Sequence, residues 1–154
     1  FRHFVELSDR NTRLERAVAM ISGDRQGRIW IASEAQNLFC YDLKEQSLRN
    51  YILTEHSLVS TNVKCLTVDN SGTIWIGFYG DGLFYSKDNL KTLHPYLSPV
   101  DNEETYNDDV VSKIVLGAYN CLYISSLKGG VKELNLTSGK LRDLLLKDEN
   151  NEAI

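Results

Sequence analysis

Short apolar runs alternate with polar, glycine-containing turns in the centre of the chain. Residues 63–68 read VKCLTV, the turn Asp69-Asn-Ser-Gly72 follows, and residues 74–76 read IWI. β-Branched and aromatic residues are typical of buried strands. Asp can accept hydrogen bonds from the backbone that follows it, and Gly adopts positive φ without a steric penalty. The pattern predicts two antiparallel strands joined by a tight turn, with a third strand at residues 83–85.

This unit occurs three times. Val, Asp, Gly, Ile, Trp and Ile recur at the same offsets in residues 18–32 and 63–77, which lie about 45 residues apart. Residues 111–125 repeat the apolar pattern with an asparagine at the glycine position, which left-handed backbone geometry tolerates. A period of about 45 residues with four short strands is typical of β-propeller blades. The predicted structural repeat positions are Asp24, Gly27, Trp30, Asp69, Gly72, Trp75 and Tyr123.

The repeat predicts an all-β fold of β-propeller blades. Three four-stranded antiparallel blades are expected at residues 17–53, 62–98 and 110–146. Residues 1–7 resemble the last strand of the first blade, so we interpret them as the outer strand of a preceding blade. Residues 147–154 are the start of a next blade or a tail.

Three blades do not close a ring, because propellers have four to eight blades, and an open stack exposes apolar side chains at both ends. We therefore expect an incomplete ring that is part of a larger propeller of about seven blades. Assembly with other copies and an open array of curved sheets are the alternatives. Leu14, Val18 and Ile21 have helical spacing, but their window aligns with two strand segments, which favours a strand.

Composition and charge exclude several partners and cofactors. The net charge of −4 and the scattered basic residues argue against a nucleic-acid partner. No apolar run approaches the roughly 20 residues of a membrane span, so no membrane contact is expected within the chain. The chain starts at Phe1 without a leader pattern, as expected of a processed protein or an excised segment. Cys40, Cys65 and Cys121 lie far apart without a CxxC pair, which predicts buried thiols and no zinc site.

The pattern V-x-x-I-x-x-D-x-x-G-x-I-W-I-G, followed by a third strand of the form G-L-x-x-Y, resembles the two-component regulator propeller repeat. The resemblance is clearest at residues 63–85, good at residues 18–41 and degenerate at residues 111–134. The first blade departs from it at Ala32 and at Gln36-Asn37, where the family usually has glycines. The third blade has lost the Asp and the Trp.

The resemblance implies a non-catalytic sensor. Proteins with this repeat are extracytoplasmic sensors of hybrid two-component systems, found especially in gut Bacteroidetes. In them, two propellers precede an immunoglobulin-like domain, a membrane helix and a histidine kinase. The implied ligand is an oligosaccharide derived from complex glycans, the implied assembly is a homodimer, and the implied location is the periplasm, with no cofactor. A propeller-fold lyase or glycosidase and a protein-interaction propeller remain alternatives, because fold alone does not separate them.

Candidate chemistry is sparse in the sequence. No His pairs with a Ser or Cys at an interpretable spacing, so no catalytic residue and no metal site are predicted. In a four-stranded blade, the turn between the second and third strands shares a face with the connectors between blades. On that face, Phe78 and Tyr79 offer a stacking surface and Asp81 an acceptor, which suits a carbohydrate; packing against the next blade is the alternative for them. The acidic connector at residues 99–109 is either a cation site or a solvated loop.

The tryptophans should be packing residues. Because Trp30 and Trp75 have a fixed place in the repeat, we expect both to be largely buried at equivalent positions of successive blades.

Overall fold

The computed structural model describes residues 4–7, 18–33, 37–53, 62–96 and 110–144. These residues form β-strands throughout, and no helix occurs among them. The strands are β1 (Phe4–Leu7), β2 (Val18–Gly23), β3 (Arg28–Ser33), β4 (Asn37–Asp42), β5 (Ser47–Leu53), β6 (Val63–Val68), β7 (Ile74–Phe78), β8 (Gly82–Ser86), β9 (His94–Pro95), β10 (Val111–Leu116), β11 (Cys121–Ser126), β12 (Gly130–Asn135) and β13 (Lys140–Asp143).

Three antiparallel sheets follow one another along the chain. Their strand orders are β1-β5-β4-β3-β2, β6-β7-β8-β9 and β10-β11-β12-β13. In each sheet, four consecutive strands pair with their neighbours in sequence, which is the arrangement of a propeller blade. The prediction of an all-β fold built from propeller blades is therefore confirmed.

The first strand, which the sequence predicts to be the outer strand of a preceding blade, joins the first sheet. β1 pairs antiparallel with β5, from Phe4 opposite Leu53 to Leu7 opposite Asn50, and so adds a fifth strand to the first sheet. The outer edge of β5 offers unpaired backbone groups, which an antiparallel strand satisfies. The helical alternative is wrong from Val18 onward, where β2 begins. The remainder of that window, residues 12–17, and the predicted tail at residues 147–154 lie outside the described residues.

The sheets pack face to face through two apolar clusters. One cluster joins the first and second sheets around Trp30, Ile76 and Phe78, and the other joins the second and third sheets around Trp75, Leu122 and Ile124. Trp30 is 0% exposed and Trp75 is 6% exposed, so the predicted burial of both indoles is confirmed.

The indoles also have equivalent neighbours. The ring centres of Trp30 and Tyr51 lie 5.9 Å apart, and those of Trp75 and Tyr96 lie 5.7 Å apart. Tyr96 occupies in the second blade the position that Tyr51 occupies in the first. The repeat in the sequence is therefore a repeat of packing.

The second and third sheets approach each other closely at Gly77. A Cβ atom at this position would lie 2.5 Å from Sγ of Cys65 and 2.6 Å from Cγ1 of Val111 in the third sheet. The absence of a side chain thus lets the two sheets approach. The first sheet has Ala32 at the equivalent position, fully buried.

All three cysteines are free and buried, as the sequence predicts for core thiols. Burial raises the pKa of Cys40 to about 11 and that of Cys65 to about 12. Over the described ranges, the chain has no helix of the length and apolarity that a membrane crossing requires.

Candidate ligand-binding cleft between the second and third blades

The Asp-x-x-Gly turn fixes the tryptophan of each regular blade. In the second sheet, Oδ1 of Asp69 accepts hydrogen bonds from the backbone N–H groups of Ser71 and Thr73, both at 2.9 Å, and from the Ser71 hydroxyl at 2.6 Å. Its Oδ2 accepts the indole N–H of Trp75 at 3.0 Å. Gly72 closes the turn at φ +87°, in the left-handed region that glycine adopts without strain. Both carboxylate oxygens are therefore used within the blade.

The first blade repeats this geometry. Asp24 accepts the backbone N–H groups of Gln26 and Arg28 at 2.9 and 3.0 Å and the indole N–H of Trp30 at 3.0 Å. Burial alone would raise the pKa of Asp24, but the hydrogen bonds from Trp30 and Arg28 outweigh it and hold the pKa below its usual value. Sequence reasoning identifies both aspartates as backbone acceptors but misses their indole bonds, which the constant six-residue spacing from Asp to Trp indicates.

The third blade replaces both partners together. Gly117 stands in place of the aspartate, and the ring of Tyr123 lies so close that a Cβ atom at residue 117 would be 2.3 Å from it. Asn120 has φ +58°, so it adopts the left-handed geometry expected at the glycine position. The tyrosine and the glycine therefore form a matched pair, as Asp and Trp do elsewhere.

An arginine bridges the first and second blades. Arg28 donates from Nε to Asp24 at 2.7 Å and from Nη1 to Oδ1 of Asn89 in the second blade at 2.8 Å. Its guanidinium carbon also lies 5.0 Å from the centre of the Trp30 ring. This side chain occupies the boundary between the two blades at the turn end of the sheets.

A cleft occupies the corresponding boundary between the second and third blades. The repeat places Thr73 where the first blade has Arg28, and Thr137 where the second blade has Asn89. A threonine side chain is too short to span the boundary as the arginine does, and a cleft of about 550 Å³ lies there. The hydroxyl of Tyr96 donates to the carbonyl oxygen of Gly139 at 3.1 Å and links the two blades beside the cleft.

The cleft combines aromatic and polar walls. Tyr85 lies 5.4 Å from Trp75 and stacks on His94, with ring centres 5.4 Å apart. Trp75 and Tyr96 are 6% and 8% exposed, so little of either ring is open, whereas Tyr85 is half-buried. The polar and charged residues of the lining are Asp69, Ser71, Thr73, Lys87 and Asn120. Aromatic surface with convergent hydroxyl, amide and ammonium groups suits a small polyhydroxylated ligand.

The residues that the sequence predicts as a binding surface do not form one exposed patch. Phe78 is fully buried and packs edge to face on Phe84 at 5.3 Å, so its ring is a packing element. Asp81 is 7% exposed, and only Tyr79 is open, at 52%, with the ammonium of Lys64 5.2 Å from its ring centre. The reason is that Phe78 is the last residue of β7, a strand buried along its whole length, and its ring joins the apolar cluster between the first and second sheets. The cleft lies at the opposite end of the strands, where the sequence predicts only structural turns.

Other candidate chemistry is limited. The acidic connector at residues 99–109, His3 and His56 lie outside the described residues. In the part of the chain that the structure describes, no group of three or more His, Cys, Asp and Glu side chains could hold a metal ion.

Comparison with known proteins identifies the repeat. The family described as two component regulator propeller matches residues 57–80. No curated protein matches the sequence.

Among solved structures, the chain is similar to virginiamycin B lyase from Staphylococcus aureus, with 17% identity and a TM-score of 0.59 over 96% of this chain and 47% of the lyase. It is also similar to two extracellular domains from B. thetaiotaomicron. The domain of the hybrid two component system BT3049 gives 18% identity and a TM-score of 0.62 over 93% of this chain and 22% of that one. The domain of the one component system BT4673 gives 14% identity and a TM-score of 0.62 over 88% of this chain and 18% of that one.

These similarities establish the fold, and the chain spans about half the length of the lyase and about a fifth of the two extracellular domains. The chain therefore folds into β-propeller blades, and its residues 57–80 match the two component regulator propeller family.

Proposed function

We propose that this chain is a non-catalytic, ligand-binding segment of an extracytoplasmic sensor, and that its ligand is an oligosaccharide. The observation that carries the proposal is the cleft between the second and third blades, where Tyr85, Thr73 and Asn120 place an aromatic ring, a hydroxyl and an amide around one space. Sugar rings stack on aromatic side chains, and their hydroxyl groups exchange hydrogen bonds with such polar groups.

The repeat supports the sensor part of the proposal. Residues 57–80 match the two component regulator propeller family, and two similar structures are extracellular domains of signalling systems. The parent protein would then reside in the periplasm, act as a homodimer and carry a histidine kinase elsewhere in its chain. Ligand binding would shift the population of two arrangements of the subunits, by as much as the ligand's affinities for the two arrangements differ.

The test is calorimetric titration of the protein with a panel of oligosaccharides. The Thr73→Arg variant places in the cleft the same side chain that Arg28 uses to bridge the first and second blades. We expect this variant to lower the affinity for the oligosaccharide at least about tenfold, which corresponds to roughly 1.4 kcal/mol. Asn70→Arg is the matched control, since this exposed residue of the same turn adds the same charge outside the cleft lining. An unchanged affinity in Thr73→Arg, or no heat with any sugar, would contradict the proposal.

An enzyme built on the same fold is the second candidate, because virginiamycin B lyase is among the similar structures. Lyase or glycosidase chemistry needs acid and base groups that converge on the ligand. The acid in the cleft lining is Asp69, whose two oxygens already accept four hydrogen bonds. Prolonged incubation with each bound oligosaccharide, followed by mass spectrometry, distinguishes the two functions: intact sugar supports a sensor, and cleaved or unsaturated products support an enzyme.

A further inference from the structure

The first of the four consecutive strands in each blade has the same irregularity. β2, β6 and β10 each lie at the edge of their sheet and pair on one side only. The pairing register shifts between Val18 and Met20, between Val63 and Cys65, and between Val111 and Lys113. The skipped residues are Ala19, Lys64 and Ser112. A β-bulge leaves the extra residue unpaired and redirects its side chain, and bulges are frequent next to binding sites.

These three edge strands line a second cleft of about 550 Å³. Ser22, Thr67 and Ser112 contribute to its lining, and the Ser112 hydroxyl is hydrogen-bonded to Ser125. The edge of each strand adds backbone N–H groups that are not used in the sheet ladder, and such edges form anion-binding concavities. The cleft is therefore rich in hydrogen-bond donors.

The charge of this surface is opposite to that of the whole chain. Its charged lining residues are Lys64 and Lys113, and no Asp or Glu lines it within the described ranges, although the chain carries a net charge of −4. Lys64 lies at a bulge, and its ammonium is 5.2 Å from the exposed ring of Tyr79. Lysines without a carboxylate beside them attract anions, and an aromatic ring beside one of them offers a surface for a sugar.

We propose that the surface formed by β2, β6 and β10 binds an anionic group of the ligand, a uronate carboxylate or a sulfate ester, through Lys64 and Lys113. The proposal rests on the proposed function only in taking an oligosaccharide as the ligand. It adds a second site, separate from the cleft at Thr73, and it assigns the ligand to the acidic oligosaccharides. Tyr79 is the aromatic surface beside this site, so the sequence prediction for that residue is retained in a new setting.

The experiment titrates the protein with three probes: a neutral galactotriose, a galacturonic acid trisaccharide and a galactose disaccharide that carries a sulfate ester and no carboxylate. We expect at least one anionic probe to bind more tightly than the neutral one, with an affinity that falls as salt is raised. Each of Lys64→Gln and Lys113→Gln should lower the affinity for that anionic probe about tenfold, because each variant removes a hydrogen bond between charged groups. The neutral probe should be unaffected by either variant. The two acidic probes distinguish a carboxylate from a sulfate ligand.

Lys91→Gln is the matched control, because Lys91 is an exposed lysine of the second blade that does not line this cleft. This variant removes the same charge and should leave the affinities for the neutral and the anionic probes unchanged. Equal affinities for neutral and acidic probes, or an acidic affinity that Lys64→Gln and Lys113→Gln leave unchanged, would overturn this inference and leave the proposed function standing. Failure of all three probes and of the wider panel to bind would overturn both.

Discussion

The hydrogen bond between Asp69 and Trp75 offers the sharpest test of how each blade is held together. Asp69 is 8% exposed and Trp75 is 6% exposed, and their atoms Oδ2 and Nε1 lie 3.0 Å apart. Trp75→Phe removes the indole N–H and keeps an aromatic ring in place. A hydrogen bond to a charged group is worth about 1.5–3 kcal/mol, and the smaller ring leaves a cavity that costs about 1 kcal/mol more. We therefore expect Trp75→Phe to lower the free energy of unfolding by about 2.5–4 kcal/mol.

A double-mutant cycle separates the hydrogen bond from the cavity. Asp69→Ala also removes the bonds to Ser71 and Thr73, but these bonds are lost in both arms of the cycle that contain the alanine and cancel in the coupling energy. Urea unfolding followed by circular dichroism gives the four free energies. The double variant should lose about 1.5–3 kcal/mol less than the sum of the single variants. Additivity to within about 0.5 kcal/mol would refute the assigned coupling.

Four further outcomes follow from the packing and the charges. Trp75→Ala should cost about 3–5 kcal/mol of unfolding free energy, as large buried aromatic residues do, and a loss below about 1 kcal/mol would contradict its packing role. Gly77→Ala should cost about 1–3 kcal/mol in urea unfolding because its Cβ would press on Val111, and Val111→Ala in the same chain should recover part of the loss; strict additivity would argue against the close approach. The pKa of Asp24 is lower in the folded than in the unfolded chain, so its contribution to stability is complete above about pH 4 and is lost as the pH falls further. Asp24→Asn should therefore make the free energy of unfolding less dependent on pH below about pH 4. An unchanged dependence on pH in this range would contradict the lowered pKa of Asp24. Burial that raises the pKa of Cys65 to about 12 should keep it from reacting with iodoacetamide at about pH 8 until the protein unfolds, as mass spectrometry can follow.

The sequence predicts the fold well because a propeller blade is specified locally. The Asp-x-x-Gly turn, the strand that contains Trp30 or Trp75, and the apolar first strand all lie within one short stretch, so their spacing repeats with the blade. The pairing of β1 is not specified locally in this way. Its residues resemble a fourth strand, but the strand to which an edge strand pairs depends on which edges are open in three dimensions.

The candidate site could not be predicted in the same way. Phe78 follows the strand motif and resembles a loop aromatic, yet β7 continues through it and points its ring into the core. The cleft depends on the difference between Arg28 and Thr73, two positions that are equivalent in the repeat. That difference matters only because Arg28 reaches Asn89 in the next blade, a contact between residues 61 positions apart. Local patterns do not specify such contacts.

The hydrogen bonds of the motif indicate where ligand specificity can arise. In the second blade, the carboxylate of Asp69 is occupied by its own turn and by Trp75, and the indole is almost entirely buried, so neither side chain has a polar group left for a ligand. Positions between the motif residues are free of this structural role. Thr73 is such a position, Lys87 lies beyond the motif after β8, and both line the cleft. Blades with the same motif can therefore have different boundaries, filled by an arginine in one case and open in the other. Recognition of a ligand then depends on residues that the repeat leaves variable, whereas the motif keeps the blade rigid enough to hold them in place.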